Sequence, residues 1–280
     1  MHIRYNRELF HNRFGQIGLC ILTLVILAAT LAPFLTQFRP SAYTGDIFHP
    51  PSAKYWLGTN DVGQDIWSQL VYGARTSLLV AAGAAFLSAA LSLLIGGTSA
   101  MFGGVYEEFC LRFIDILLVI PPVILMILTA AYLKPNILLL ILLLATFVWP
   151  SGARIIRAQT LSLKSRMSYA AARTFGANWR YLLLRHILLD LGPILIAIII
   201  NNARRAIFME AGLSFLGVSD PALISWGKMI QQALPFIYLD VWQWCLLPAG
   251  LAVSLTITGL VFTGYTFETV FNPRLRMEKR

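Results

Sequence analysis

Charge is scarce in this chain of 280 residues: only 12% are Asp, Glu, Lys or Arg, and 13 of them are acidic. With 58% hydrophobic residues and a mean hydropathy of +0.70, so little charge cannot clothe a water-facing surface, which excludes a soluble globular domain. Cysteine is also sparse. Cys20, Cys110 and Cys245 sit in or beside different apolar runs, with no Cys-x-x-Cys and no His at ligand spacing, and read as small buried apolar residues. His2, His11, His49 and His186 are scattered. No Gly-x-x-x-x-Gly-Lys-Ser/Thr phosphate loop, His-Glu-x-x-His or Gly-x-Ser-x-Gly occurs, so no energy-converting or hydrolytic site is legible in the chain. Basic domains interleaved with aromatics are missing too, which argues against nucleic acid as a partner.

Long apolar runs are what the chain has in quantity. A membrane span needs roughly 20 apolar residues, and uncharged runs of about that length cover Ile17 to Thr36, Ser77 to Phe102, Pro135 to Ala153 and Val241 to Phe267. A fifth span, Ile116 to Leu133, extends back toward Asp115 and accommodates Pro121 and Pro122 as a kink. The sixth runs Leu191 to Ala203, meets Arg204 and Arg205, and continues to Met209 before Glu210. The first span is too long for a secretory signal and lacks a small-residue cleavage site, so it is expected to be retained.

Six spans place both termini on one side, and Lys/Arg usage selects which. Fifteen of the 22 basic residues fall on the face holding the two termini, Arg112 and the stretch from Arg154 to Arg185; five fall opposite, at Arg39, Lys54, Arg75, Lys134 and Lys228. Both termini are therefore expected in the cytoplasm, and the net charge of +9 reflects topology.

The stretch from Arg154 to Arg185 holds seven Lys/Arg and no acid, and contains Tyr169-Ala170-Ala171-Ala172-Arg173-Thr174-Phe175-Gly176-Ala177. A bare pore or anchor has no need of a basic loop that offers Ala171, Ala172 and Gly176, where another protein's surface can approach closely. Ser165 to Phe175 reads as a short helix with Ala172, Phe175 and Gly176 on one face, ended by Gly176 at positive φ and followed by a turn capped by Asn178. The alternative reading is a basic loop held at an anionic lipid surface. Opposite, the turn-rich segment Gln37 to Tyr72 reads as a lid on the membrane surface, with a short amphipathic helix presenting Ile66, Trp67 and Leu70. Asp61 and Asp65 lack the spacing and terminal Glu of a calcium loop.

Four motifs carry a resemblance. They are Leu57-Gly58-Thr59-Asn60-Asp61-x-Gly63-Gln64-Asp65 followed by Tyr72-Gly73-Ala74-Arg75-Thr76-Ser77-Leu78; the Ala-rich loop above; Glu210-Ala211-Gly212-Leu213-Ser214-Phe215-Leu216-Gly217; and Ser225-Trp226-Gly227. Over nearly its whole length the chain resembles the C-type permease subunit of bacterial ABC importers of the peptide, nickel and opine family. The resemblance implies an all-α membrane protein of six transmembrane helices with the type I importer fold in the bacterial inner membrane. It divides the chain into residues 1–74 (tail, first helix and lid), a core at 75–272 with the cytoplasmic loop 154–186, and a tail at 273–280. Partners implied are a second homologous permease in a heterodimer, two cytoplasmic ATPases and an extracytoplasmic solute-binding protein. No cofactor is implied for this chain, ATP and magnesium belonging to the ATPases. Closure of those ATPases would be coupled to the gate through residues 165–182, with Ala171, Ala172, Arg173 and Gly176 at the contact. Two positions depart from the family pattern: Ala170 stands where Glu is usual, and Leu189 where Pro is frequent.

Asn201, Arg204 and Arg205, at i, i+3 and i+4, place an amide and two cations on one helical face. Lining the pathway, they would favour carboxylate-bearing ligands; lying near the outer interface, they would merely snorkel. Cargo is open among dipeptides, longer peptides, nickel chelates and opine-type metallophores. A stand-alone ion-coupled transporter would need a relay, for which Asp115, Glu210 and the arginines are the only intramembrane candidates, and no inverted repeat supports it.

The charge asymmetry yields a direct test. Green fluorescent protein fused at either end should fluoresce, and alkaline phosphatase fused at either end should be inactive in whole cells. Active phosphatase at one terminus would reduce the span count to an odd number.

Overall fold

The computed structural model describes residues 12–133, 136–218, 220 and 222–271. Of the topology signals, Arg4, Arg7, Lys134, the four basic residues after Asn272 and the tail 273–280 lie outside these residues. The described chain is largely helical: α1 Arg13–Thr30, α2 Ile66–Phe102, α3 Gly104–Val119, α4 Pro122–Tyr132, α5 Ile137–Lys164, α6 Met167–Thr174, α7 Leu188–Phe215, α8 Trp226–Ala233 and α9 Leu247–Phe271, with the long segment 31–65 between α1 and α2 and a π-helix, Leu182–Ile187, running into α7. Helix is what an apolar run must form where water cannot satisfy its backbone. Its starts are marked by side chains that accept the first orphan N–H groups: Asn12 from Phe14, Asp65 from Ser68, Asn136 from Leu139 and Ser225 from Lys228.

Five helices are each long and apolar enough to cross a membrane, and α3 with α4 make a sixth, broken span. The kink expected at Pro121 and Pro122 is an 81° bend. Ile120 and Pro121 are extended there, since a residue before proline is driven out of the helical region. Asp115, expected near an interface, lies within α3, which begins at Gly104.

The lid differs from expectation. Ile66, Trp67 and Leu70 belong to the first turns of α2, not to a separate short helix, because the Asp65 carboxylate takes both the N–H and the hydroxyl of Ser68 and nothing after it interrupts the 37-residue helix. The lid proper, 31–65, is tied by backbone bonds from Thr44 to Gly63, Phe48 to Asn60 and Thr59 to His49. Tyr55 donates to Asp46 at 2.9 Å, which holds that carboxyl below its ordinary value, helped by Lys54. Arg75 of α2 ties the two helices that flank the lid by donating to the carbonyls of Ala29 and Thr30 at the end of α1.

Small residues set how closely the helices approach. A Cβ on Gly96 of α2 would collide with the Ala153 carbonyl oxygen of α5. α7 runs through the middle, against α2, α5, α8 and α9. Its Ala206, Ile207 and Leu213 share a buried cluster with Val80, Met126 and Leu144.

Gly96→Val should therefore lower stability by about 1–3 kcal/mol, read as a fall in thermal midpoint in detergent. Gly192→Ala, where an added Cβ meets nothing within 4 Å, should be neutral or stabilising. A Gly96→Val protein melting with the wild type would refute the close α2–α5 contact.

Candidate functional site

Three regions concentrate polar or exposed side chains against the logic of a lipid-soluble bundle. The first is the basic loop. α6 covers Met167–Thr174, two residues shorter at its start than expected because Arg166 is extended. Gly176 takes φ +80° and closes the helix with two bonds, Ala177 N–H to the Ala172 carbonyl and Gly176 N–H to the Arg173 carbonyl, a Schellman ending. Asn178 caps the following turn through Tyr181 N–H at 2.8 Å, as expected. The helix is anchored by Tyr169, buried with Leu163, Leu182 and Ile187. Ala172, Phe175 and Gly176 meet on one open cavity of about 520 Å³. Ala171, Arg173 and Gly176 are exposed, Ala172 is half-buried, and Met167 and Phe175 are 88% and 91% exposed.

Much of the loop's positive charge is structural. Arg157 pairs with Glu107 at 2.5 Å and Arg154 with Asp115, binding α5 to α3; Arg166 pairs with Asp190 at 2.9 Å. Lys164 donates to the Ala100 carbonyl near the end of α2 at 2.7 Å. These contacts make the end of α5, the root of α6 and the start of α7 one connected body.

The second region is the polar stretch of α7, whose members diverge. Arg204 donates to Asn201 Oδ1 at 2.8 Å, and both line a cavity of about 230 Å³ against Leu260, Val261 and Tyr265 of α9. Arg205 instead reaches Ser151 Oγ on α5 at 2.8 Å. Asn202 is buried on another face and donates to Ser88 Oγ of α2 at 2.8 Å. The single face expected for Asn201, Arg204 and Arg205 is thus split, because the two arginines, one residue apart, point about 100° from each other around the helix.

The third region was missed as a unit. Glu210, 2% exposed, accepts from Ser77 Oγ at 3.1 Å and from Ser214 Oγ at 2.8 Å. Ser77 Oγ accepts from Trp226 N–H, Ser225 Oγ donates to Ser214 Oγ, and a Cβ on Gly227 would lie 2.6 Å from the Ala211 carbonyl oxygen. Three motifs far apart in sequence, around residues 72–78, 210–217 and 225–227, are therefore one buried knot joining α2, α7 and α8. Beside it, burial pushes the Lys228 ammonium below its ordinary value, partly opposed by Asp220. The signal that marks the knot in the sequence is the recurrence of Ser within otherwise apolar motifs. Asp115, exposed and paired with Arg154, is in a different place from Glu210, so the two carboxylates form no relay pair, and no three-member cluster of metal-ligating residues exists among the described residues.

Residues 57–277 match the family described as binding-protein-dependent transport system inner membrane component, and residues 6–51 match the N-terminal transmembrane domain of oligopeptide transport permease C. The chain is 35% identical over 275 residues to a putative peptide transport system permease protein of Brucella abortus biovar 1 (strain 9-941), covering 97% of this chain and 92% of that one. It is 34% identical over 278 residues to a putative peptide permease protein of Brucella suis biovar 1 (strain 1330), covering 98% and 91%. It is also 34% identical over 270 residues to the oligopeptide transport system permease protein OppC of Bacillus subtilis (strain 168), covering 95% and 87%.

Removing the carboxylate at the centre of the knot strands the hydroxyls of Ser77 and Ser214. Glu210→Ala should destabilise the protein by about 1–3 kcal/mol, with Glu210→Gln costing less because it keeps shape and an acceptor. Thermal unfolding in detergent reads both, and an unchanged midpoint in Glu210→Ala would show that the knot carries no stability.

Proposed function

The chain belongs to the binding-protein-dependent transport system inner membrane components, and from that premise we propose that it is one half of the channel of an ATP-driven peptide importer. It is a multi-pass inner-membrane permease subunit without catalytic activity of its own, working with ATPase and binding-protein partners. The finer reading is a heterodimer with a second, homologous permease on two ATPases, which bind the ATP and magnesium while this chain binds no cofactor. The names carried by its relatives favour peptides as cargo and offer nothing for nickel chelates or opine-type metallophores.

One observation carries the coupling role: α6 is firmly rooted yet offers an unpaired apolar tip. Tyr169 is buried beneath it, while Phe175 stands 91% exposed next to the small surface of Ala171 and Gly176. An exposed Phe on a short helix joining two spans suits insertion into a groove of a partner, and aromatic anchors of this kind dominate binding energy. Because Lys164, Arg157 and Arg166 bind the root of α6 to α2, α3 and α7, displacement of the tip by a closing ATPase pair would move the ends of several spans together. The Glu of the family pattern is replaced by Ala170, which is exposed, so the contact here relies on shape and apolar area rather than on a carboxylate.

Purification in mild detergent from the native membrane tests this. The wild type should bring a second permease and ATPases. Phe175→Ala, which leaves the helix ending intact, and Gly176→Leu should keep the permease mate but lose the ATPases by more than about tenfold. A chain recovered alone would overturn the heterodimer, and ATPase retention by both variants would overturn the role of α6.

A further inference from the structure

Arg204 and Arg205 lie near the midpoint of a membrane span, and neither joins an ion pair among the described residues. Arg204 is about 24 Å along α7 from Leu188 at ~1.5 Å per residue. Centred on a hydrocarbon core of about 30 Å, the 28-residue α7 holds Arg204 about 11 Å from the nearer core boundary at ~1.5 Å per residue, farther than a side chain reaching roughly 6 Å can snorkel. A cation at such depth needs water or an anion.

The two arginines differ in what they have left to offer. Arg205 reaches across to Ser151 on α5. Arg204 is steadied one turn back by Asn201, whose carbonyl oxygen takes one guanidinium donor. Arginine has five donors in a planar fork, which leaves enough for a two-point grip on a carboxylate. The cavity these residues line, about 230 Å³ and walled by Leu260, Val261 and Tyr265, accommodates a carboxylate with a small adjoining group.

We propose that Asn201 and Arg204 form a carboxylate-binding station within the translocation pathway, taken up in passing by the acidic end of the transported ligand. This rests on the reading of the chain as half of an importer channel. Asn201 is the positioning residue, Arg204 the binding one, and Arg205 belongs to the α5–α7 contact.

The test introduces Val261→Cys on the opposite wall of the cavity, in a Cys20→Ser background because Cys20 is exposed while Cys110 and Cys245 are buried. The assembled transporter, in nanodiscs of zwitterionic lipid, is labelled with two membrane-impermeant methanethiosulfonates, one ending in a sulfonate and one in trimethylammonium. Adding Arg204→Gln should lower the sulfonate-to-trimethylammonium rate ratio about tenfold, as expected for loss of a nearby cation at intermediate dielectric; adding Arg205→Gln should lower it less than about threefold. An unchanged ratio in Arg204→Gln, an equal fall in both variants, or reaction with neutral maleimide alone would overturn the station. Slower sulfonate labelling when anionic lipid replaces zwitterionic lipid would assign the pair to a lipid headgroup and likewise overturn it. Labelling requires neither ATP nor cargo, so an error about peptides as substrate leaves the outcome unaffected.

Discussion

Inside hydrocarbon every backbone N–H and C=O must find a partner within the protein, and the arrangement of this chain follows from where it obeys that constraint and where it is excused. Long helices obey it outright. Excused stretches are those that other parts of the chain or neighbouring water can cover: the lid at 31–65, the extended pair Ile120–Pro121, and the turn after α7. The last of these closes with a Schellman pair at Gly217, φ +83°, with Val218 N–H bonded to the Leu213 carbonyl. The C-terminal end of α7 is thus sealed by local chemistry, and beyond Gly217 the chain brings Ser225 and Trp226 back onto α2.

That return creates the Glu210 knot, which illustrates how polar groups are used in this fold. A carboxylate at 2% exposure is costly unless hydrogen-bonded, and here the donors come from α2 and from its own helix. Breaking the knot would expose the same groups in a medium unable to solvate them, so α2, α7 and α8 are expected to keep their mutual positions when the opposite end of the bundle moves. The basic loop lies at that opposite end. Its ion pairs and carbonyl contacts gather the ends of α2, α3, α5 and α7, whereas the lid end is held by hydrogen bonds and close packing. Under the proposed coupling role, this contrast would supply a handle at one end and a fixed frame at the other, with polar side chains between them.

Local chemistry was legible in the sequence because its signals act within about one helical turn. Apolar length announced the spans, Gly176 announced the end of α6, and Asn178 announced the next cap. The places where residue reasoning fell short are places where distant segments decide. Ile66, Trp67 and Leu70 were legible as an amphipathic turn, but whether that turn stood alone depended on Asp65 capping a helix that continued without interruption to Phe102.

By itself the sequence determined a lipid-embedded helical chain with its basic residues skewed toward one face, and it located the start of the helix in the basic loop to within two residues. Only the tertiary structure decided that Ser77, Glu210, Ser214 and Ser225 converge, that Arg204 and Arg205 part company toward α9 and α5, and that the span after Gly104 breaks by 81°. The physical reason is range. Caps, periodicity and apolar length are interactions between neighbours along the chain, while the meeting of α2 with α7 and α8 depends on glycines and serines whose small size matters only once another helix arrives against them.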